Sequence, residues 1–194
     1  MLKKIASFLF IIITFGGCKP NYSNPHIIIH TEMGDIEVEL YPKQAPKTVH
    51  AFLNYLDSGY YNNSSFYRVL LNEGLTNESN SGIIQAGIWL TNNSKYPNLK
   101  GIDHESTKLS GLSHISGTLS LARTAVGTGN TEFFICIGNQ TQFDYGNINN
   151  GDTAGFAAFG TVYKGMDIVR QIQTQKATGE NFNKKITITS IERM

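Results

Sequence analysis

The alternation of apolar and polar positions predicts β-strands over most of the chain. Residues 27–30, three isoleucines followed by a histidine, are predicted as a strand, and residues 36–40 alternate strictly, with Ile36, Val38 and Leu40 on one face. Further extended segments are predicted at 60–71, 83–90, 156–163 and 185–192. The pattern is typical of a mainly β domain.

Two segments have apolar residues at helical spacing instead. Pro46 suits the first turn of a helix that continues through Phe52 and Leu56 and ends near Gly59. A second short amphipathic helix is predicted at 165–174. Many strands with two helices predict a closed antiparallel β-barrel capped by two α-helices.

Residues 117–138 contain two sheet-forming runs around a glycine-rich loop. Leu119 and Leu121 precede the loop, and residues 133–137 follow it. Gly127 and Gly129 permit backbone angles closed to other residues, so the loop has a defined shape. Polar stretches elsewhere predict a surface insertion at 72–81 and long loops at 92–116 and 140–155, and long loops in compact domains are more often functional than accidental.

The first residues have the organisation of an export signal. Lys3 and Lys4 precede an apolar run at 5–15, which is shorter than the about 20 residues of a membrane span. Cys18 follows two glycines, which resembles the lipobox of bacterial lipoproteins. We therefore expect a lipoprotein signal peptide at 1–17, a lipidated Cys18, a tether at 18–26 and one domain at 27–194; an unmodified cysteine in a simple secretory signal is the alternative.

Composition excludes several other classes of protein. The chain has 16 basic and 15 acidic residues and no basic block after the signal, so nucleic acid is not an expected partner. The histidines are scattered, and the nearest approach to a metal cluster, His104 and Glu105 with His114, is better explained as loop chemistry. We predict no metal, no cofactor and a monomer, with Cys136 as a small buried hydrophobe.

Four blocks give the chain a resemblance to a known family. They are Phe-Tyr-Arg-Val at 66–69, Ile-Ile-Gln-Ala-Gly at 83–87, the segment 117–138 and Gly-Phe-Ala-Ala-Phe-Gly at 155–160. In this order they resemble the cyclophilin-type peptidyl-prolyl cis–trans isomerases, and the resemblance covers nearly all of the chain after the signal. The insertion and the long loops are most similar to a bacterial branch.

The resemblance implies a groove that binds a proline residue and assists rotation of the bond before it. Arg68 matches the catalytic arginine of the family, although an arginine on a strand is usually a solvated surface charge. Gln85 matches the residue that positions this arginine or the substrate carbonyl. The resemblance also implies a set of substrate-binding residues, several of which could instead be core residues: Phe66, Ile83, Ala122, Arg123, Glu132, Phe134, Phe143 as an aromatic lid, and Phe156.

Several positions depart from the family pattern. Gly82 falls where a pocket phenylalanine is usual, and Phe156 stands at a position that usually holds histidine. Arg123 replaces a small amide, and Glu132 replaces a glutamine. Because a carboxylate facing a groove is costly unless it is paired, we expect Glu132 to pair with Arg68 or, by preference, with Arg123.

The expected function is therefore peptidyl-prolyl isomerisation during the folding of exported proteins. Its partners would be proline-containing polypeptides and, through the lipid on Cys18, a membrane of the bacterial cell envelope. Lys19 gives no acidic retention signal, which favours the outer membrane, facing the periplasm. The alternatives are a proline-peptide binding module or holdase with little catalysis, which the departures favour, and an all-β adhesin or glycan-binding lipoprotein.

Overall fold

The computed structural model describes residues 22–71, 80–91, 94, 99–148 and 151–194. The predicted signal peptide, Cys18, the first part of the tether and most of the 72–81 insertion lie outside these residues. The described residues contain nine strands: β1 (His26–Thr31), β2 (Gly34–Leu40), β3 (Ser64–Leu71), β4 (Gly82–Gly87), β5 (Thr118–Leu121), β6 (Phe133–Ile137), β7 (Ala157–Lys164), β8 (Ala177–Thr178) and β9 (Asn181–Arg193). They also contain the helices α1 (Pro46–Asp57), α2 (Thr107–Ser110) and α3 (Met166–Gln173).

Eight of the strands close into an antiparallel barrel. Their order is β1-β2-β7-β5-β6-β4-β3-β9, and a pairing between β1 and β9 completes the ring. Strand β8 pairs with β9 alone among the described strands and forms a short hairpin outside the ring. The predicted fold class is confirmed, with the four-residue α2 added to the two predicted helices.

Strand β6 shows how the barrel separates two apolar clusters. Phe133, Ile135 and Ile137 belong to the main core, while Phe134 and Cys136 belong to a smaller cluster. Because neighbouring side chains on a strand point to opposite faces, both faces of β6 are buried and its sequence is an uninterrupted apolar run. Cys136 is fully buried, as the sequence predicted.

The two longer helices bury one face each against the barrel. Phe52 and Leu56 of α1, and Val169 and Ile172 of α3, join the main core. After α1, Gly59 adopts a φ of +69°, a left-handed conformation that suits glycine at the end of a helix. None of the helices among the described residues is long and apolar enough to cross a membrane.

A distant carboxylate caps the start of α1. The N-cap residue Ala45 has no side-chain oxygen to offer, so the first amides of the helix need another acceptor. Glu105 accepts hydrogen bonds from the Lys47 backbone N–H at 3.1 Å and from the Thr48 N–H and hydroxyl at 2.8 Å each. The described part of the long 92–116 loop thus stabilises the helix.

The described part of the predicted tether is packed on the barrel. The Tyr22 ring stacks on the His26 ring with centroids 3.5 Å apart, and its hydroxyl donates to Glu37 at 2.9 Å. Lys164 on β7 also contacts the Glu37 carboxylate, at 3.0 Å. We call these four residues, with Tyr163 beside them, the N-terminal dock.

Candidate active site

A bulge in β3 determines which side chains reach the surface groove. The pairing of β3 with β4 shifts by one residue between Phe66 and Arg68, so Tyr67 is an extra residue on β3 at this point, and the pairing of β3 with β9 is interrupted at the same place. A bulge re-aims the side chains around it, and both Tyr67 and Arg68 line the groove although they are consecutive. Phe66 instead points into the main core and is fully buried. The expectation that Phe66 forms a pocket wall is corrected accordingly.

The groove has a volume of about 600 Å³ and one apolar end. This end, which we call the apolar pocket, is formed by the smaller cluster: Ile83, Phe134, Phe143 and Phe156, with Leu70 and Ala122 beside them. Three of the phenylalanine rings meet edge to face with centroids 5.4–5.5 Å apart. Such mutually packed rings hold one another in place. The structure therefore brings every predicted substrate-binding residue except Phe66 to this groove.

Arg68 is held from two sides at the polar end of the groove. Its Nη1 donates to Gln85 Oε1 at 2.9 Å, and its Nε and Nη2 donate to Glu180 Oε2 at 2.8 and 2.5 Å. A guanidinium has five N–H groups. Two of them are therefore left without a partner among the described residues.

A chain of hydrogen bonds fixes the orientation of Gln85. Its Nε2 donates to the Tyr67 hydroxyl at 2.6 Å, and that hydroxyl donates to Glu132 Oε2 at 2.6 Å. The carboxylate can only accept, so each group in the chain donates to the next and Gln85 turns its oxygen toward Arg68. The chain, which we call the relay, runs from Arg68 to Glu132.

Glu132 is the buried end of the relay. Its Oε1 accepts from the backbone N–H of Ile88 at 2.8 Å, from that of Trp89 at 3.0 Å and from the Thr131 hydroxyl at 3.1 Å. Burial raises the pKa of Glu132, and the hydrogen bonds that it accepts offset part of the rise. Gly87 gives the carboxylate its space, because a Cβ there would lie 2.3 Å from Oε2.

The expected pairing of Glu132 with an arginine is wrong. Arg123 donates to both Asp152 oxygens, at 2.8 and 2.7 Å, and to the Gly155 carbonyl, and its guanidinium lies 5.0 Å from the centre of the Phe156 ring. The hydrogen bond from Arg123 lowers the pKa of Asp152 from 3.8 to about 2. Glu132 has no need of a cation because two hydroxyls and two backbone amides donate hydrogen bonds to it.

Gly82 does not leave a hole in the apolar pocket. Its φ is +149°, and a Cβ there would lie 1.9 Å from the Leu70 carbonyl oxygen. No side chain fits at this point of the β3–β4 pairing. Leu70 and Ile83 line the apolar pocket, so the glycine that stands in place of the usual phenylalanine does not leave a gap.

His114 supports the apolar pocket from behind. Its Nδ1 lies 2.6 Å from Asp144 Oδ1, its Nε2 lies 2.8 Å from Ser120 Oγ, and its ring stacks on Phe134 at 5.9 Å. Asp144, His114 and Ser120 contact one another in the order of the Asp-His-Ser triad of hydrolases. Ser120 is 0% exposed, however, so its hydroxyl cannot reach a substrate. Among the described residues, no three His, Cys, Asp or Glu side chains are grouped to hold a metal ion.

Sequence reasoning missed Tyr67 and Glu180. Strict alternation places Tyr67 on the face opposite Arg68, and only the bulge brings the two together. Glu180 is separated from Arg68 by 112 residues, so no local pattern connects them.

An eight-stranded antiparallel barrel with an arginine beside an aromatic pocket defines a protein of the cyclophilin class. A solved cyclophilin-type peptidyl-prolyl cis–trans isomerase of Cryptosporidium parvum has this fold, with a TM-score of 0.69 and 21% identity over 88% of this chain and 98% of that one. A second structure of that protein, in the presence of the dipeptide Ala-Pro, has a TM-score of 0.67 and 22% identity over 87% of this chain and 98% of that one.

The sequence comparisons agree with the fold. The family model of the cyclophilin-type peptidyl-prolyl cis–trans isomerases matches residues 26–193. A peptidyl-prolyl cis–trans isomerase of Acinetobacter baylyi is 33% identical over 176 residues, which cover 89% of this chain and 82% of the relative. Peptidyl-prolyl cis–trans isomerase B of Escherichia coli is 32% identical over 150 residues, covering 76% and 83%. The chain belongs to the cyclophilin-type peptidyl-prolyl cis–trans isomerase family, as its four sequence blocks predicted, and is an isomerase.

Proposed function

We propose that this isomerase accelerates rotation of X–Pro bonds in exported polypeptides, with Arg68 as the catalytic group. The observation that carries the proposal is the placement of Arg68, fixed by Gln85 and Glu180, beside the apolar pocket. The structural relative studied in the presence of Ala-Pro supports a proline-containing polypeptide as the substrate. The pocket would hold the proline ring, and the guanidinium would face the proline nitrogen.

Rotation of an X–Pro bond needs a hydrogen-bond donor at the nitrogen and a pocket that holds the proline ring, rather than a nucleophile. Resonance gives the peptide C–N bond a rotation barrier of about 18–20 kcal/mol, and free X–Pro bonds take tens to hundreds of seconds to rotate. A donor that engages the nitrogen lone pair as the nitrogen becomes pyramidal weakens this resonance. Arg68 can donate there with the N–H groups that Gln85 and Glu180 leave free.

Arg68 alone would not supply a large acceleration. A 10⁵-fold acceleration requires about 7 kcal/mol, whereas one well-placed donor supplies about 3–4 kcal/mol. Orientation of the substrate must supply the remainder. The packed rings of Phe134, Phe143 and Phe156 are suited to this part of the task because they hold one side of the bond still.

The departures from the family pattern do not favour a binding module without catalysis. The Gly82 backbone fits closely against β3, Arg123 is turned toward Asp152, and Glu132 supports the relay. The arrangement therefore supports an active isomerase over the holdase alternative.

The cellular setting is proposed from the sequence. The apolar run before Gly16 and Gly17, followed by Cys18, supports export and attachment of lipid to the cysteine. Lys19 favours the outer membrane, facing the periplasm, where a monomeric isomerase would meet exported polypeptides.

Replacement of Arg68 tests the catalytic proposal. We expect Arg68→Ala to lower kcat/KM for a short X-Pro peptide by at least about 10²-fold, the scale of one lost transition-state donor. Arg68→Lys should not restore the rate, because an ammonium lacks the planar fork. The measurement is a protease-coupled isomerisation assay, with thermal melting as the check on folding.

Arg193→Ala is the matched control. Arg193 donates to the Asp57 carboxylate through Nε and Nη2, the two nitrogens that Arg68 uses toward Glu180, and it is not among the groove-lining residues. Its activity should equal that of the unaltered protein. Full activity of Arg68→Ala with normal melting would remove Arg68 from the mechanism, and an unaltered protein that binds proline peptides without turnover would establish the holdase alternative.

A further inference from the structure

Glu180 lies in the two-residue turn between β8 and β9. Strands β8 and β9 pair Thr178 with Asn181, so Gly179 and Glu180 form the connection between them. Gly179 has a φ of +60°, which is the conformation that the first position of a tight hairpin turn requires. The connection between β8 and β9 is therefore a tight two-residue turn.

The backbone of this turn is joined directly to the bulged strand. Asn181 pairs with Arg68 across the β3–β9 ladder, and the Val69 N–H donates to the Glu180 carbonyl at 2.8 Å. Both the carboxylate and the guanidinium thus extend from backbone segments that are hydrogen-bonded to each other. Glu180 meets Arg68 from a fixed position.

Gln85 alone does not determine the plane of the guanidinium. It contacts only Nη1, and a single hydrogen bond leaves a long side chain free to rotate about that contact. Glu180 Oε2 takes the opposite edge, Nε and Nη2, and so fixes the orientation of the planar group. The Arg68 and Glu180 side chains are 36% and 50% exposed, a setting in which an ion pair adds little to the stability of a protein.

We propose that Glu180 is a positioning residue, which holds the Arg68 guanidinium in the plane that faces the apolar pocket before substrate arrives. The inference rests on the proposed catalytic role of Arg68. A carboxylate that pre-orients the donor acts on the transition state more than on substrate binding. Its loss should therefore lower kcat and leave KM nearly unchanged.

The first test compares Glu180→Ala with the unaltered protein on a short X-Pro peptide. We expect kcat to fall about three- to tenfold, with KM changed less than about twofold, on the scale expected for a positioning contact rather than the donor itself. Glu180→Gln should lie between the two, because its amide oxygen still accepts but carries no charge.

The dependence of kcat on salt is a second measurement, which would not differ between the two proteins if Glu180 had only a structural role. Raising ionic strength from about 0.01 M to about 1 M shortens the Debye length from about 30 Å to about 3 Å and weakens a half-exposed ion pair. The kcat of the unaltered protein should fall over this range, whereas that of Glu180→Ala should stay level. An equal salt dependence of kcat in both proteins would overturn the proposal.

Asp57→Ala is the matched control. It removes the partner of Arg193, whose Nε and Nη2 donate at 2.8 and 2.6 Å and whose ion pair is similarly exposed, at 46% and 50%. Asp57→Ala should match Glu180→Ala in melting temperature and retain full kcat.

The two proposals fail in different ways. If Glu180→Ala keeps its kcat while Arg68→Ala is inactive, the positioning role is excluded and the catalytic role of Arg68 stands. If Arg68→Ala is itself active, the proposed function fails.

Discussion

Glu132 is a buried carboxylate whose protonation is linked to folding. Its pKa is raised chiefly by burial, so the folded protein keeps the proton at pH values where the unfolded chain, with an ordinary pKa of 4.5, has lost it. Above pH 4.5 the folded state therefore binds more protons than the unfolded state. The stability of the fold falls as the pH rises from this value through the raised pKa.

Glu132→Gln should remove this pH dependence. We expect the free energy of unfolding of the variant, relative to the unaltered protein, to increase between about pH 4 and about pH 8, because the amide has no charge to bury. The measurement is urea unfolding at several pH values. The pH trend isolates ionisation from the hydrogen bond that Tyr67 loses, and a constant difference would contradict the argument.

Asp152→Asn supplies a control of opposite sign. Its pKa is lowered by Arg123 to about 2, so the stability that this carboxylate contributes is present above 3.8 and is lost as the pH falls toward 2. The difference in the free energy of unfolding between this variant and the unaltered protein should be constant between about pH 4 and about pH 8 and should shrink as the pH falls toward 2.

The sequence predicted some residues of the site and not the contacts of others. Arg68 and Gln85 stand in recognisable blocks, and the structure places them 2.9 Å apart. The partners of Glu132 could not be predicted, because a hydroxyl from β3 and two amides after β4 meet it only in the folded barrel. Hydrogen bonds between distant elements have no periodicity to detect.

Among the elements, α1 depends on a side chain from elsewhere in the chain. Glu105 is buried and satisfies amides that no neighbouring residue caps. A negative charge at this end also interacts favourably with the helix dipole. The contact joins α1 to the loop that precedes α2.

Glu105→Ala should therefore destabilise the fold. We expect a loss of about 2–3 kcal/mol in the free energy of unfolding, from a lost cap and from buried amides left without an acceptor. Glu105→Gln should lose less, since its amide oxygen still accepts. Chemical denaturation monitored by circular dichroism measures both.

Asp103→Ala is the control from the same loop. Asp103 pairs with Lys47 of α1, but the Asp103 side chain is 79% exposed, and such an exposed ion pair adds little to stability. A loss in Glu105→Ala no greater than that in Asp103→Ala would show that the cap is unimportant.

Element length explains which parts of the fold the sequence predicted. Strand β6 and helix α1 carry five and twelve residues of consistent pattern, and both were predicted within about two residues of their bounds. Helix α2 has four residues and β8 has two, too few to show a period, and both were missed.

For the molecule as a whole, the barrel separates the groove from the N-terminal dock. The groove lies over β4, and the dock lies over β2. In the ring of eight strands these two strands are four places apart, so they lie on opposite sides of the barrel. Along β7, Tyr163 of the dock is seven residues from Phe156 of the pocket, about 23 Å at the rise of a strand. The proposed peptide groove and the packed N-terminal segment therefore lie on different surfaces of the barrel.

Cys18→Ser tests the proposed anchor. We expect the variant to stay uncleaved or to leave the detergent fraction in which the unaltered protein partitions, because the serine cannot take the lipid. Stable attachment to a membrane needs more than one acyl chain. In the proposal these chains are attached through Cys18, so partition into detergent should be lost entirely in the variant. Cys136→Ala, which removes the buried thiol, is the control, and unchanged partition of Cys18→Ser would exclude lipidation.

The N-terminal dock has a consequence for how such an anchored enzyme would be oriented. Between Cys18 and Tyr22 the chain can span at most about 14 Å, so a lipid at Cys18 would keep the dock close to the bilayer. Because Tyr22 is stacked on His26, only this short segment would separate the barrel from the lipid. The barrel could therefore not rotate freely relative to the membrane. It would stand with its docked side toward the lipid head groups, and the groove would open into the aqueous compartment, where unfolded chains pass.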